Sequence, residues 1–188
     1  MEQVALDFGQ GLYTASDAAA ILGLKENKVS YWFRKYVKDV FETQTNYRYY
    51  YNFKNLTAVN FHTLIEIYVF NFLKEKNIKT AKIVQAHQEL SKLLKTPYPF
   101  SHAEILLASG IDILYQLGEI LAVSGTGFQQ AISEYVMPYS KKIEFRENLA
   151  DKYYPLGKDH SVVINPKNQF GSPIIEGTNI KVSTLTNL

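Results

Sequence analysis

Residues 25–54 gather the cationic chemistry of the chain. Seven basic side chains, Lys25, Lys28, Arg34, Lys35, Lys38, Arg48 and Lys54, stand against three acids, Glu26, Asp39 and Glu42. That is a local net charge of +4, against +2 for all 188 residues. The rest of the protein is therefore slightly acidic. Lysine and arginine neutralise phosphates, while arginine, asparagine, serine and tyrosine can reach base edges. The pattern points to nucleic-acid contact through Lys28, Ser30, Tyr31, Arg34 and Lys35, followed by Arg48 and Tyr49. The competing reading is the solvated face of an ordinary helical hairpin.

Other reactive side chains are poorly placed for catalysis. His62, His87, His102 and His160 lack metal-ligand spacing such as HExxH. His87 falls in line with Ile83, Leu90 and Leu94, as a core histidine would. Glu66 lies inside the apolar run "LIEIYVFNFL" and needs a buried base or an interface. "SGTG" at 124–127 lacks the GK[ST] ending of a phosphate loop. Cysteine is absent, which excludes disulfides and thiolate metal sites. The expectation is no enzyme, no metal and no cofactor.

These residues need elements to hold them. In "YTASDAAAILGL" Thr14 is placed as N-cap, Asp17 completes a capping box, and Gly23 ends the helix in a left-handed turn. In "KENKVSYWFRKYV" a helical wheel puts Val29, Trp32, Phe33, Tyr36 and Val37 on one arc. Asn27, Lys28, Ser30, Tyr31, Arg34 and Lys35 fall on the other. Two short helices across a glycine turn suggest a helix-turn-helix, and the aromatic run at 46–53 suits a β-wing.

Residues 56–77 read as one long helix, apolar on most sides, which suggests a dimer surface. Residues 79–95 add a helix with Ile83, Val84, Leu90, Leu93 and Leu94 inward. Beyond a soft boundary at 95–102 the pattern changes. A hairpin is expected at 104–117, a helix at 126–139, and strands in "KKIEF", "ADKYYPL" and "SVVIN". In the closing stretch "FGSPIIEGTNIKVSTLTNL", Pro173 marks an edge strand. Gly171 and Gly177 allow positive φ, and Ser183 or Thr184 can cap a last helix.

The fold class is α+β, mainly α, with residues 1–95 as the DNA-binding part and 96–188 as a smaller β-rich region. At 46% apolar and 14% aromatic the chain can bury a substantial core. The most apolar run is about half a membrane span and carries Glu66. With no signal sequence at the start, the expectation is a cytoplasmic protein without a membrane partner.

"YTASDAAAILGLKENKVSYWFRKY" followed by "NYRYYYNFKNL" resembles the winged helix-turn-helix of MerR-like regulators. The segments "VNFHTLIEIYVFNFLKEKNIKTAKIVQAHQELSKLL", "YPF", "YVMPYSKKIEF", "ADKYYPLGKDHSVVINP" and "FGSPIIEGTNI" come in one order. That series resembles the antitoxin family of VapBC-type toxin–antitoxin systems, which joins a MerR-like domain to a GxPxIxGT module. The resemblance implies an autorepressor, a homodimer on an inverted-repeat operator, that silences a PIN-like ribonuclease toxin. It places partner or structural roles on Gly171, Pro173, Ile175, Gly177, Thr178 and Asn179. The family has arginine where Asn179 stands, and a basic residue is common where His160 stands. A helix-turn-helix follows the module in that family, so the resemblance implies a C-terminal truncation. The alternative is a MerR-like regulator that senses a small molecule in its apolar middle section.

Overall fold

The computed structural model describes residues 10–42, 49–53, 56–75, 77–102 and 141–186. Strand β1 (Tyr13–Thr14) leads into helix α1 (Ala15–Leu22). The capping box forms as the sequence implies. Asp17 N–H donates to Thr14 Oγ1 at 3.1 Å, and Thr14 N–H donates to Asp17 Oδ2 at 2.9 Å. Gly23, at φ +66°, turns the chain, and its N–H closes on Ala19 O. Helix α2 (Glu26–Trp32) follows and continues as a π-helical segment, Phe33–Glu42.

Strands β2 (Tyr50–Phe53) and β3 (Leu56–Val59) form an antiparallel pair, and β1 joins the other side of β3. The sheet order is β1-β3-β2. Helix α3 (Phe61–Glu75) starts only after this sheet. The single helix expected over 56–77 is therefore a strand and then a helix. The break is Asn60: its Oδ1 accepts from Thr63 N–H at 2.9 Å, the geometry of an N-cap. Asn60 also donates to Gln10 Oε1 and to the Tyr98 hydroxyl.

Helix α4 (Thr80–Leu94) runs to Lys95 and is followed by a 3₁₀ turn, Pro99–Ser101. Ile83, Ala86, His87 and Leu90 face inward, whereas Leu93, expected to be buried, is 45% exposed. The expected hairpin at 104–117 and helix at 126–139 lie outside the described residues. The three strands that should follow are present as β4 (Ile143–Arg146), β5 (Leu149–Tyr153) and β6 (Val162–Ile164). A two-residue turn joins β4 to β5, with Glu147 and Asn148 both at positive φ, as a type I′ hairpin requires. Strand β7 (Pro173–Ile175) completes the antiparallel order β4-β5-β6-β7. Pro173 thus sits on an edge strand. A short helix α5 (Val182–Thr186) closes the described chain. It begins before Ser183, so neither Ser183 nor Thr184 is its cap; Thr184 N–H instead donates to Lys181 O.

One core spans both halves. It runs from Tyr13, Val29 and Trp32, through Phe61, Leu64 and Ile65 of α3, to Ile143, Ala150, Tyr153 and Ile164 of the second sheet. Ile67, Val69 and Phe70, which widen the apolar face of α3, are each 3% exposed or less. The chain itself covers that width, so the width no longer argues for a dimer surface. Tyr68 of α3 meets Tyr153 of β5 ring to ring at 5.2 Å. Glu66 is fully buried, 3.1 Å from His87 Nε2. Its Oε1 accepts from Ser101 N–H at 2.7 Å. Burial raises the Glu66 pKa, partly offset by His87 and by the backbone N–H groups of Ser101 and Phe100. Among the described residues no helix is long and apolar enough to cross a membrane.

Candidate nucleic-acid interface

The wheel drawn for the second helix matches its burial. Val29, Trp32, Phe33 and Val37 are 6% exposed or less. Lys28, Tyr31, Arg34 and Lys35 are exposed, and Ser30 is half-buried. What fixes this helix is aromatic packing on α3. Trp32 meets Phe70 edge-on at 5.4 Å, and Tyr36 meets Phe70 at 4.8 Å. Tyr31 leans edge-on against Tyr36 at 6.0 Å.

Between α1, α2 and β3 lies a cleft of about 280 Å³. Ser16, Ser30, Arg34 and Thr57 line it with donors, and Glu26 is the opposing charge. Arg34 Nε approaches Ser30 O only at 3.4 Å, one turn back. That is long for a hydrogen bond, so the guanidinium keeps its capacity for an outside acceptor. A polyanion laid along this face meets Arg34 and Lys35 on the helix and hydroxyls on the cleft wall.

Two expected contacts are placed differently. Lys28 is exposed, but its Nζ donates to Asn71 Oδ1 at 2.9 Å and lies 4.9 Å above the Trp32 ring. It ties α2 to α3. Tyr49 is 0% exposed, its hydroxyl donates to Pro97 O at 2.7 Å, and its ring packs against Tyr98. A side chain so enclosed cannot grip a phosphate, which corrects its placement on the wing surface. Arg48 lies outside the described residues.

The closing motif sits at the edge of the other sheet. Gly171 is buried at φ +81°. Ile174 is 2% exposed and packs with Tyr154 and Val163, while Ile175 is half-buried. Gly177 takes φ +75° in a turn closed by Thr178 N–H on Ile175 O. The Thr178 hydroxyl donates to the same carbonyl at 2.8 Å and accepts from Ile180 N–H at 3.1 Å. Asn179 Oδ1 accepts from Asn168 Nδ2 at 2.9 Å, a neutral amide pair on the surface. Gly177 and Thr178 thus shape a turn, and the returning chain touches the edge at a single bridge, with Ile175 N–H donating to Ile180 O.

The fold is similar to that of Rv2018 from Mycobacterium tuberculosis, known from an X-ray crystal structure. The TM-score is 0.71 over 97% of this chain and 87% of that one, at 19% identity. At that identity the likeness extends to the fold alone. No protein-family model matches the chain, and no curated protein does.

The linear pattern showed the exposed half of α2 through its period. It did not show Ser16 and Thr57, which come from α1 and β3 to line the cleft. Nor did it show that Lys28 turns back onto Asn71, forty-three positions along the chain.

Proposed function

We propose that the chain is a cytoplasmic DNA-binding antitoxin. In this reading it represses its own operon and neutralises a PIN-like ribonuclease toxin by direct binding. The observation that carries the DNA half is the exposed Arg34 and Lys35 on a helix whose opposite face is locked into the core by Trp32 and Phe70. A rigid element presenting cations beside a hydroxyl-lined cleft suits phosphate contact. The hairpin β2–β3 beside it takes the part of the wing in a winged helix-turn-helix. Support for the toxin half is the ordered resemblance that ends in the closing motif, with Gly171 to Asn179 at a sheet edge.

A homodimer on an inverted repeat belongs to the same reading. It would double the phosphate contacts and steepen the salt dependence. The test of DNA binding is a titration at fixed salt against the DNA upstream of the protein's own gene. Arg34→Ala weakens binding, while Lys167→Ala, in the loop after β6, does not. Equal affinity of both variants and the parent protein overturns the placement. For the toxin, co-expression with the neighbouring reading frame should yield a co-purifying ribonuclease; recovery of the free protein alone counts against it.

A further inference from the structure

A second cleft, of about 220 Å³, lies where the start of α3 meets the second sheet. Gln10 and three further stretches of chain build it. Phe61 and His62 come from the start of α3, Arg146 to Asp151 from the β4–β5 hairpin, and Pro166 and Lys167 from the loop after β6.

Its charges are unequally engaged. The Asp151 side chain is 9% exposed and lies 2.6 Å from Lys167 Nζ, a close pair that meets the carboxylate's charge. Arg146 Nε stands off at 3.4 Å from the other oxygen, and its side chain is 63% exposed. That exceeds the roughly 2.7–2.9 Å of a charge-assisted hydrogen bond. The guanidinium fork is therefore in surplus over what Asp151 needs. Glu147, exposed at the hairpin tip, is the one further acid on the lining.

The floor is different in kind. His62 is largely buried, and desolvation holds its pKa down at about 4. Its ring is therefore neutral at neutral pH. Its hydrogen bond among the described residues runs from Nδ1 to Ser101 Oγ, at 3.3 Å. Leu149, half-buried, is the apolar side chain open to the cleft, with Phe61, Ala150 and Pro166 buried behind it. The cleft is smaller than the roughly 300–1,000 Å³ of sites for drug-sized ligands. Apolar surface with a few convergent polar groups is nonetheless the usual make-up of a small-molecule site.

We propose that this cleft binds a small organic anion, its carboxylate or phosphate held by the Arg146 fork beside Lys167 and its carbon skeleton laid on Leu149 near His62. Planar two-pronged donation by arginine matches both anions. A ligand there bridges the β4–β5 hairpin and the start of α3. The proposal stands apart from the DNA reading, since it uses none of the α2 residues.

The test is a titration of the full chain with acetate, lactate and inorganic phosphate at constant ionic strength, followed by backbone amide NMR and by calorimetry. At least one probe should saturate with a dissociation constant of about 1 mM or tighter. The shifts should centre on His62, Arg146 and Lys167. Arg146→Gln should weaken that binding by about tenfold or more, the loss expected for one hydrogen bond to a charged group. Arg34→Ala should leave it unchanged. Failure of all three probes to saturate overturns the proposal. So does saturation that Arg146→Gln leaves intact, or that Arg34→Ala abolishes. The shift map of the parent protein needs no variant, so a misfolded Arg146→Gln does not shelter the idea.

Discussion

Gly171 lays its backbone directly against the ring of Tyr13. A β-carbon on Gly171 would overlap the tyrosine hydroxyl and come within 2.7 Å of Cζ. Gly11 closes on the same ring, where a β-carbon would lie 2.7 Å from the hydroxyl. Tyr13 pairs with Val59 in the first sheet and precedes Thr14, the cap of α1. The first glycine of the closing motif is therefore a joint between the two halves of the molecule. Buried at 2% exposure, the Tyr13 hydroxyl has no hydrogen-bond partner among the described residues. Desolvation raises its pKa well above the usual phenol range.

Two glycines of one motif should then respond unequally to alanine. Gly177→Ala meets open space and bears only the left-handed backbone cost of about 1–2 kcal/mol. Gly171→Ala bears that cost and must also push Tyr13 aside, adding about 1–3 kcal/mol of overpacking. Urea denaturation should show the larger loss at Gly171. Because the closest approach is to the hydroxyl, Tyr13→Phe should recover part of the loss in a double mutant. Equal losses at the two glycines, without rescue, would mean that the joint yields freely.

Arg34 and Lys28 are both exposed but have different engagements. On the proposed DNA reading, Arg34→Ala removes a phosphate contact. It should lower the slope of log affinity against log salt by about one. Lys28 is committed to Asn71 and Trp32. Lys28→Met should weaken binding by loosening the helix while leaving the salt slope unchanged. A slope that falls by the same amount in both variants would return Lys28 to the DNA.

Tyr49→Phe separates packing from contact. The hydroxyl bond to Pro97 O, in a part-buried site, is lost at a cost of about 0.5–1.5 kcal/mol. Thermal unfolding should register that loss, and DNA affinity measured on the folded protein should not change. Lost affinity at full stability would put Tyr49 back on the wing surface.

The sequence disclosed whatever its local chemistry dictates. Thr14 with Asp17 and Gly23 bound α1 at both ends, and the period from Val29 to Val37 separated the buried face from the solvent face. Pro173 was readable as an edge residue because it has no N–H for a central ladder. The boundary at Asn60 was hidden, since "LTAV" fits the apolar pattern of the helix after it. Tyr49 was misplaced because "YRYYY" shows no alternation, and without alternation a strand's two faces cannot be told apart. The broad apolar face of α3 looked like a dimer surface. Its cover comes from Trp32 and Tyr36 on Phe70 and from Tyr153 on Tyr68, which no local period connects to it. The cleft at His62 was invisible for the same reason: Arg146, Asp151 and Lys167 meet it only through the tertiary fold.

His62 also predicts how stability follows pH. Desolvation is the main cause of its low pKa; the charge of Asp151 opposes the shift and that of Lys167 adds to it. Its ordinary value is 6.5 and its folded value about 4. Between those two the unfolded chain binds a proton that the folded chain refuses, so stability rises with pH across that window. The contribution is complete above pH 6.5 and is lost as pH falls towards 4, by about 3 kcal/mol at most. Glu66 works in the opposite sense: burial raises its pKa, so its share is present at low pH and is lost as pH rises through the folded value. Comparing the parent protein with His62→Gln cancels Glu66, which both retain. Urea midpoints taken from pH 7 down to 4 should fall more steeply in the parent. Parallel profiles would show that His62 gains its proton as easily folded as unfolded, and that the cleft floor is wet.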